Sequence, residues 1–352
     1  MQYRMVNLED YNYLLPENLV AKEPSSKRDM CRLFVYSTSE NKIYFDIFKN
    51  INKYLPKGSV LVFNDTKVVP ARLSITRKGG SVAELFILAN EPETSEGYLK
   101  AISNRRLKLG EILFLNGKDV FKVEEIDGRF FFVKKLFDED INSFLKIFGS
   151  TPLPPYIKNS PLSEEEAREK YQSILANSES SVAAPTASLH FSEEVLDKLK
   201  EDGNIFEYIT LHVGLGTFAT VSHENIENKK LFNEWFTIKA DTAKRLNRYK
   251  NEGRKIVAVG TTATRALESA VLYGSLIECV NKPTDIFILP PYKFQVADSL
   301  VTNFHVPKSS LMLLVDAFLK FKGARRGILD LYKIAINENF KFYSFGDAML
   351  IV

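Results

Sequence analysis

The 352-residue chain has only two cysteines, Cys31 and Cys279, far apart in sequence. That excludes a disulfide framework and the paired spacing of a zinc site, and it fits a reducing compartment. Long apolar runs are missing too. The most apolar helical stretch, Leu311–Leu319, contains Asp316 and is too short to span a bilayer. Arg4, Glu9 and Asp10 open the chain without an apolar run behind them, so no signal peptide is expected and the expected location is the cytoplasm. Charge of one sign is scarce: 47 basic against 44 acidic residues leave +3. Nucleic-acid binding would then need a local basic face. A full glycine loop is also absent. Gly214-Leu215-Gly216 follows a strand pattern, but no third glycine and no helix come after it, which weakens a dinucleotide reading.

What is present suits a large soluble fold. Hydrophobic residues make up 45% and charged residues 26%, enough at this length for a large core and two domains. Cys31–Tyr36, Lys42–Phe48 and Ser59–Phe63 read as strands. The last runs into Asn64-Asp65-Thr66-Lys67, which reads equally as a self-bonded turn or as a strand end facing a cleft. From Ala71 to about Phe137 the texture changes. Arg72–Arg77, Ala83–Leu88, Tyr98–Ser103, Glu111–Leu115, Val120–Ile126 and Phe130–Leu136 are short β-rich runs. Turn signals at Gly79-Gly80, Asn116-Gly117 and Asp127-Gly128 separate them. Six such runs predict a small barrel or sandwich. The expected domains are a discontinuous α/β unit, 1–70 with 152–352, and an inserted β-barrel, 71–151.

Beyond the proline-stiffened Pro152–Ile157, Ser163 and Glu166 form a capping box that opens a helix to about Ala176. The segment Ser181–Phe191, SVAAPTASLHF, is small and nearly uncharged. It reads as a tight extended loop delivering Thr186, Ser188 and His190 to the helix start at Ser192, or as a packed connector. Ile205–Val213, Lys255–Val259, Asp285–Leu289 and Ser299–Phe304 read as strands, with a helix from Ser309. Polar residues gather at three of these strand ends: His212, Thr261 with Thr262, and Asn303 with His305. Ligands of open α/β sheets sit outside the carboxyl ends of the strands, so a shared site is expected there. The fold class expected is α/β, a three-layer large domain with an inserted small β-barrel.

Several blocks carry a resemblance. SVAAPTASLHF, VLVFNDTKVVPARL (Val60–Leu73), PLPPYI (Pro152–Ile157), TLHVGLGTF (Thr210–Phe218), VAVGTTATRALES (Val257–Ser269), SLVTNFHVPKSSLMLLVDAF (Ser299–Phe318) and FYSFGDAMLI (Phe342–Ile351) run in one order along the chain. This arrangement strongly resembles the S-adenosylmethionine:tRNA ribosyltransferase-isomerases. The resemblance implies transfer and isomerisation of the ribosyl group of S-adenosylmethionine onto 7-aminomethyl-7-deazaguanine at the tRNA wobble position. The implied products are epoxyqueuosine-tRNA, adenine and methionine. S-adenosylmethionine is a co-substrate, and neither a metal nor a second cofactor is implied. A monomer is expected.

That chemistry needs a base for an acidified ribose 5′ proton, an acid for departing adenine and a neutral amine nucleophile. The candidates are His190, His212, His305 and Asp65, each inside a matching block. Thr186, Ser188, Thr261, Thr262 and Asn303 are expected to bind the nucleoside, and Arg265 the methionine carboxylate. Phe191 or Phe304 would face the sulfonium. The basic residues Arg72, Arg105 and Arg106 are expected to contact tRNA. One departure stands out. Lys229 and Phe232 occupy positions where many members of the family carry histidines. Either those histidines are dispensable, lysine covers part of the role, or activity is altered. A tRNA methyltransferase and a non-catalytic tRNA-binding protein are the competing classes.

Overall fold

The computed structural model describes residues 6–157, 159–214 and 221–352. A nine-stranded mixed sheet forms its spine. In space the order is Cys279–Ile286, Lys230–Ile238, Ile205–His212, Val60–Asn64, Ile256–Val259, Ser299–Asn303, Ala348–Ile351, Arg32–Ser37 and Lys42–Ile47. The four strands from Ile205–His212 to Ser299–Asn303 in that order run parallel, so their carboxyl ends share one edge. Val60–Asn64, Ile256–Val259 and Ser299–Asn303 are buried along their whole length. A parallel strand covered on both faces needs apolar residues on both, not an alternation. Val60 and Val62 join the core beneath the helices Ala240–Asn251, Thr261–Ser269 and Ser310–Phe321. Leu61 and Phe63 point the other way, to the core beneath Glu193–Glu201. Helices thus cover both faces of the sheet, as the α/β reading expects.

The six expected short strands close into an antiparallel barrel: Arg72–Arg77, Val82–Ile87, Leu99–Ser103, Ile112–Leu115, Lys118–Asp127 and Phe130–Lys135. Leu73, Ile75, Leu85, Leu113, Phe121 and Val133 are fully buried in its interior. The helix Ile141–Phe148, capped by Asp140, packs on the same core, with Phe144 stacked on Phe137 at 4.2 Å. The chain enters and leaves the barrel at one point. Arg72 bridges Ser150, and a Cβ at Gly149 would lie 1.8 Å from the Pro70 carbonyl oxygen. Only glycine permits that approach.

Three details differ from the sequence expectation. The helix after the Ser163–Glu166 capping box ends at Lys170. The strand expected at Asp285–Leu289 is Cys279–Ile286, antiparallel to Lys230–Ile238 at the rim of the sheet. Pro283 obscures it, because proline interrupts a ladder and is tolerated at an edge. The strand runs in the same direction as Ile205–His212, so its carboxyl end lies on the same edge, two strands farther out at the rim. Last, the SVAAPTASLHF segment is not extended throughout. Thr186–His190 forms a 3₁₀ turn, closed by the Ser188 hydroxyl donating to the Pro185 carbonyl at 2.7 Å.

Candidate active site

A cleft opens at the carboxyl edge of the parallel strands. Its walls come from four segments of the chain. Residues 184–187 supply Thr186. Gly260, Thr261 and Thr262 begin the helix Thr261–Ser269. Residues 302–306 follow the strand Ser299–Asn303 and supply Asn303 and His305. Tyr343 and Ser344 precede the last strand, and Tyr156 and Tyr171 close the side. Gly260 has φ +92°, a conformation glycine adopts freely, which turns the strand into the helix without a side chain in the cleft. The helix N-terminus leaves backbone N–H groups without intrahelical partners on this side.

The described lining contains no carboxylate, lysine or arginine. His305 is its sole imidazole. His305 Nε2 lies 2.9 Å from Thr302 Oγ1, and the His305 backbone N–H donates to the Tyr332 hydroxyl at 2.8 Å. Burial pushes its imidazole down to about 3, so it is neutral at physiological pH. The Tyr156 and Tyr343 rings stand 4.7 Å apart at 52°. Tyr156 shares a 2.6 Å hydrogen bond with the Ser344 hydroxyl, and the buried Tyr171 hydroxyl has no partner in hydrogen-bond geometry among the described residues. Tyr343 has φ +73°, a strained conformation for a ring-bearing residue.

The other expected residues divide. His190 lies directly behind the cleft, buried, with Nε2 3.1 Å from Asn303 Nδ2 and Nδ1 3.1 Å from Cys31 Sγ. Ser188 is wholly buried in its own turn and faces no ligand space. Asp65 lines a separate hollow beside Lys239 and Arg245, where its carboxylate accepts from Thr210 Oγ1 at 2.6 Å. Burial raises its pKa. His212 Nδ1 is 2.9 Å from Thr66 Oγ1, and burial lowers its pKa. Neither Asp65 nor His212 lines the cleft. The four titratable candidates therefore do not converge, because Thr210 and His212 alternate with the cleft-side Val213 along one strand.

Arg265, one turn into the helix, does not line the cleft either. It is buried against Glu234, whose second carboxylate oxygen accepts the Gly214 N–H at 3.0 Å. Its charge is thus paired through Nη1, while Nε and Nη2 are buried without a hydrogen-bond partner among the described residues. Phe191 and Phe304 are core rings, wedged among Phe48 and Phe63 and among Phe34, Tyr332 and Phe342 respectively. Arg105 and Arg106 are exposed on the barrel. Arg72 is half-buried and turned inward to Glu84 and the Leu153 carbonyl. Lys229 and Phe232 are exposed away from the cleft lining, and the Arg129 guanidinium lies 5.3 Å from the Phe232 ring. Residues 215–218 of the TLHVGLGTF block lie outside the described residues.

Sequence reasoning missed the tyrosines. Tyr156 and Tyr343 lie in the PLPPYI and FYSFGDAMLI blocks, but nothing local separates a cleft ring from a core ring. The left-handed φ of Tyr343 is invisible in a sequence without glycine at that position.

The family model described as queuosine biosynthesis protein matches residues 8–351. A curated S-adenosylmethionine:tRNA ribosyltransferase-isomerase from Sulfurihydrogenibium sp. is 43% identical over 351 residues, covering 99% of this chain and all of that protein. Its counterpart from Halothermothrix orenii is 41% identical over 354 residues, with 99% and 100% coverage. Among solved structures, the S-adenosylmethionine tRNA ribosyltransferase of Thermotoga maritima superposes with a TM-score of 0.55 at 30% identity, covering 97% of this chain and 100% of that one. The similarity spans both the large sheet and the barrel, and the chain belongs to the queuosine biosynthesis protein family.

Proposed function

We propose that this protein is an S-adenosylmethionine:tRNA ribosyltransferase-isomerase. It transfers and isomerises the ribosyl group of S-adenosylmethionine onto 7-aminomethyl-7-deazaguanine in tRNA, releasing adenine and methionine. Family membership over nearly the whole chain supports the reaction class. The observation that carries the placement is the uncharged, tyrosine-sided cleft at the edge of the parallel strands. A sulfonium cation is repelled by lysine and arginine and attracted by aromatic faces, and this lining has tyrosine rings without either base.

In this arrangement the open N–H groups at the start of the helix Thr261–Ser269 receive the methionine carboxylate, in place of Arg265. Thr186, Thr261, Thr262 and Asn303 hold the nucleoside. Tyr156 and Tyr343 face the sulfonium. His305 is the side chain placed to take or give a proton at the reacting ribose. Its neutral imidazole presents a lone pair and an N–H, one of which is bonded to Thr302. Closing the cleft over a bound substrate excludes water and strengthens each of these contacts. The exposed Arg105 and Arg106 approach the tRNA backbone.

The test is product analysis with labelled S-adenosylmethionine and precursor tRNA. Adenine and methionine with label in the tRNA are expected. S-adenosylhomocysteine would indicate methyl transfer instead. Absence of turnover despite tight tRNA binding would leave a binding protein.

A further inference from the structure

The Tyr343 carbonyl oxygen fixes the orientation of a side chain on the cleft wall. A backbone carbonyl only accepts hydrogen bonds. This one takes the Gly346 N–H at 3.1 Å and Asn303 Nδ2 at 3.1 Å. Turning the Asn303 amide over would set oxygen against oxygen, so the nitrogen stays on that side. The Asn303 oxygen then faces Thr186 Oγ1 at 3.1 Å. A carboxamide oxygen also only accepts, so the single proton of the Thr186 hydroxyl is committed to it. The other N–H of Asn303 points at His190 Nε2, 3.1 Å away. Nε2 must therefore present its lone pair, and the ring proton sits on Nδ1, which faces Cys31 Sγ at 3.1 Å. His190, Cys31 and Asn303 are buried, and Thr186 reaches the cleft.

We propose that Cys31, His190 and Asn303 are positioning residues that lock the Thr186 hydroxyl so that it meets substrate only as a hydrogen-bond acceptor. The group it recognises is then an N–H or O–H donor, such as the adenine amine or a ribose hydroxyl of S-adenosylmethionine. The identity of that ligand rests on the proposed function; the lock itself does not. His190 in this arrangement carries no proton to or from substrate. Burial holds its imidazole down at about 4. An Asn303 oxygen turned toward it would favour protonation, but the Tyr343 carbonyl keeps the amide nitrogen forward.

Two substitutions separate locking from proton transfer. A glutamine amide reaches the place of Nε2 and, oxygen first, accepts from Asn303. An asparagine amide reaches only the place of Nδ1. His190→Gln is expected to keep single-turnover adenine release and the KM for S-adenosylmethionine within about threefold of wild type. His190→Asn and Thr186→Val are expected to lower kcat/KM by about 5- to 100-fold, the range for a lost or unsatisfied buried hydrogen bond. Equal loss in His190→Gln and His190→Asn, both with normal thermal midpoints, would overturn the lock and make His190 a proton carrier.

An activity-independent readout is 15N NMR of the wild-type ring. An unprotonated Nε2 and protonated Nδ1 are expected, and the reverse tautomer would overturn the proposal. Calorimetry with S-adenosylmethionine tests the other link. Failure of the wild-type protein to bind it would count against the proposed function, while the tautomer would still decide the lock.

Discussion

Glu234 and Arg265 form a buried ion pair, their side chains 1% and 6% exposed, between the strand Lys230–Ile238 and the helix Thr261–Ser269. The pair lies beneath the meeting of barrel and sheet. Glu234 also holds Gly214, where a Cβ would come within 2.7 Å of Asn90 Nδ2 in the turn after the barrel strand Val82–Ile87. Removing one partner leaves a buried charge unpaired, which costs about 3–5 kcal/mol. Glu234→Gln and Arg265→Met are each expected to lower the urea midpoint sharply. S-adenosylmethionine affinity, measured below the unfolding transition, should be retained. A selective loss of affinity in Arg265→Met at normal stability would return Arg265 to the ligand.

Arg72 and the Arg105–Arg106 pair should behave differently toward tRNA. Arg105→Ala/Arg106→Ala is expected to weaken tRNA binding and flatten the dependence of log K on log salt by about one unit per lost phosphate contact. Arg72→Ala is expected to reduce stability and leave the slope unchanged, because its guanidinium is spent on Glu84 and Leu153. Filter binding across a salt series reads both.

Acid stability should depend on two buried imidazoles. Burial lowers His190 to about 4 and His305 to about 3, against 6.5 for an exposed ring. Between those values the unfolded chain binds protons that the folded one does not. Stability is therefore full above about pH 6.5 and declines as pH falls, by about 1.4 kcal/mol per pH unit for each histidine once the unfolded ring is charged. His190→Gln should remove one of these two protons from the slope of unfolding free energy against pH. A slope identical to wild type would mean that His190 is already charged in the folded state.

Asp65 is expected to be dispensable for turnover. Its carboxyl has a raised pKa through burial, so the folded state favours its protonated form and stability declines as pH rises from 3.8 through the raised value. Asp65→Asn keeps a hydrogen-bond acceptor for Thr210 and removes that cost. The expected result at pH 7 is a higher thermal midpoint with adenine release within about twofold of wild type. A loss of 10²-fold or more at normal stability would identify Asp65 as a proton carrier.

Phe232→His tests the departure from the family pattern. The ring is exposed and pairs with Arg129, a contact worth about 0.5–1 kcal/mol. Single-turnover adenine release is expected to stay within about twofold, as for most surface substitutions. A tenfold gain would show that histidine at this position takes part in the reaction.

The fold was legible where pattern and burial agree. The barrel strands stood out because turn glycines punctuate short β-rich runs, and Ile256–Val259 because a strand buried on both faces must be apolar throughout. The strand Cys279–Ile286 was blurred by Pro283, and the turn Thr186–His190 by local bonds that composition does not reveal, the Ser188 N–H and hydroxyl both donating to the Pro185 carbonyl. At the cleft, Thr186, Thr261, Thr262, Asn303 and His305 were found from their positions at strand and helix ends. The grouping of His212 and Asp65 with them was not found, since the side to which a strand residue points depends on a register set by distant neighbours. The pairing of Arg265 with Glu234, 31 residues away, was equally illegible in the sequence.

The strand Ala348–Ile351 lies between Ser299–Asn303 and Arg32–Ser37. The hairpin of Arg32–Ser37 with Lys42–Ile47 is translated before the rest of this sheet, and its inner neighbour is made more than 300 residues later. At ribosomal speeds that interval is roughly 15 to 60 s. Throughout it the Arg32–Ser37 backbone stands as an open template for pairing with other nascent chains. The barrel, whose strands neighbour one another in sequence, can close long before. Slowing translation is therefore expected to aggravate aggregation at this hairpin before it does so at the barrel.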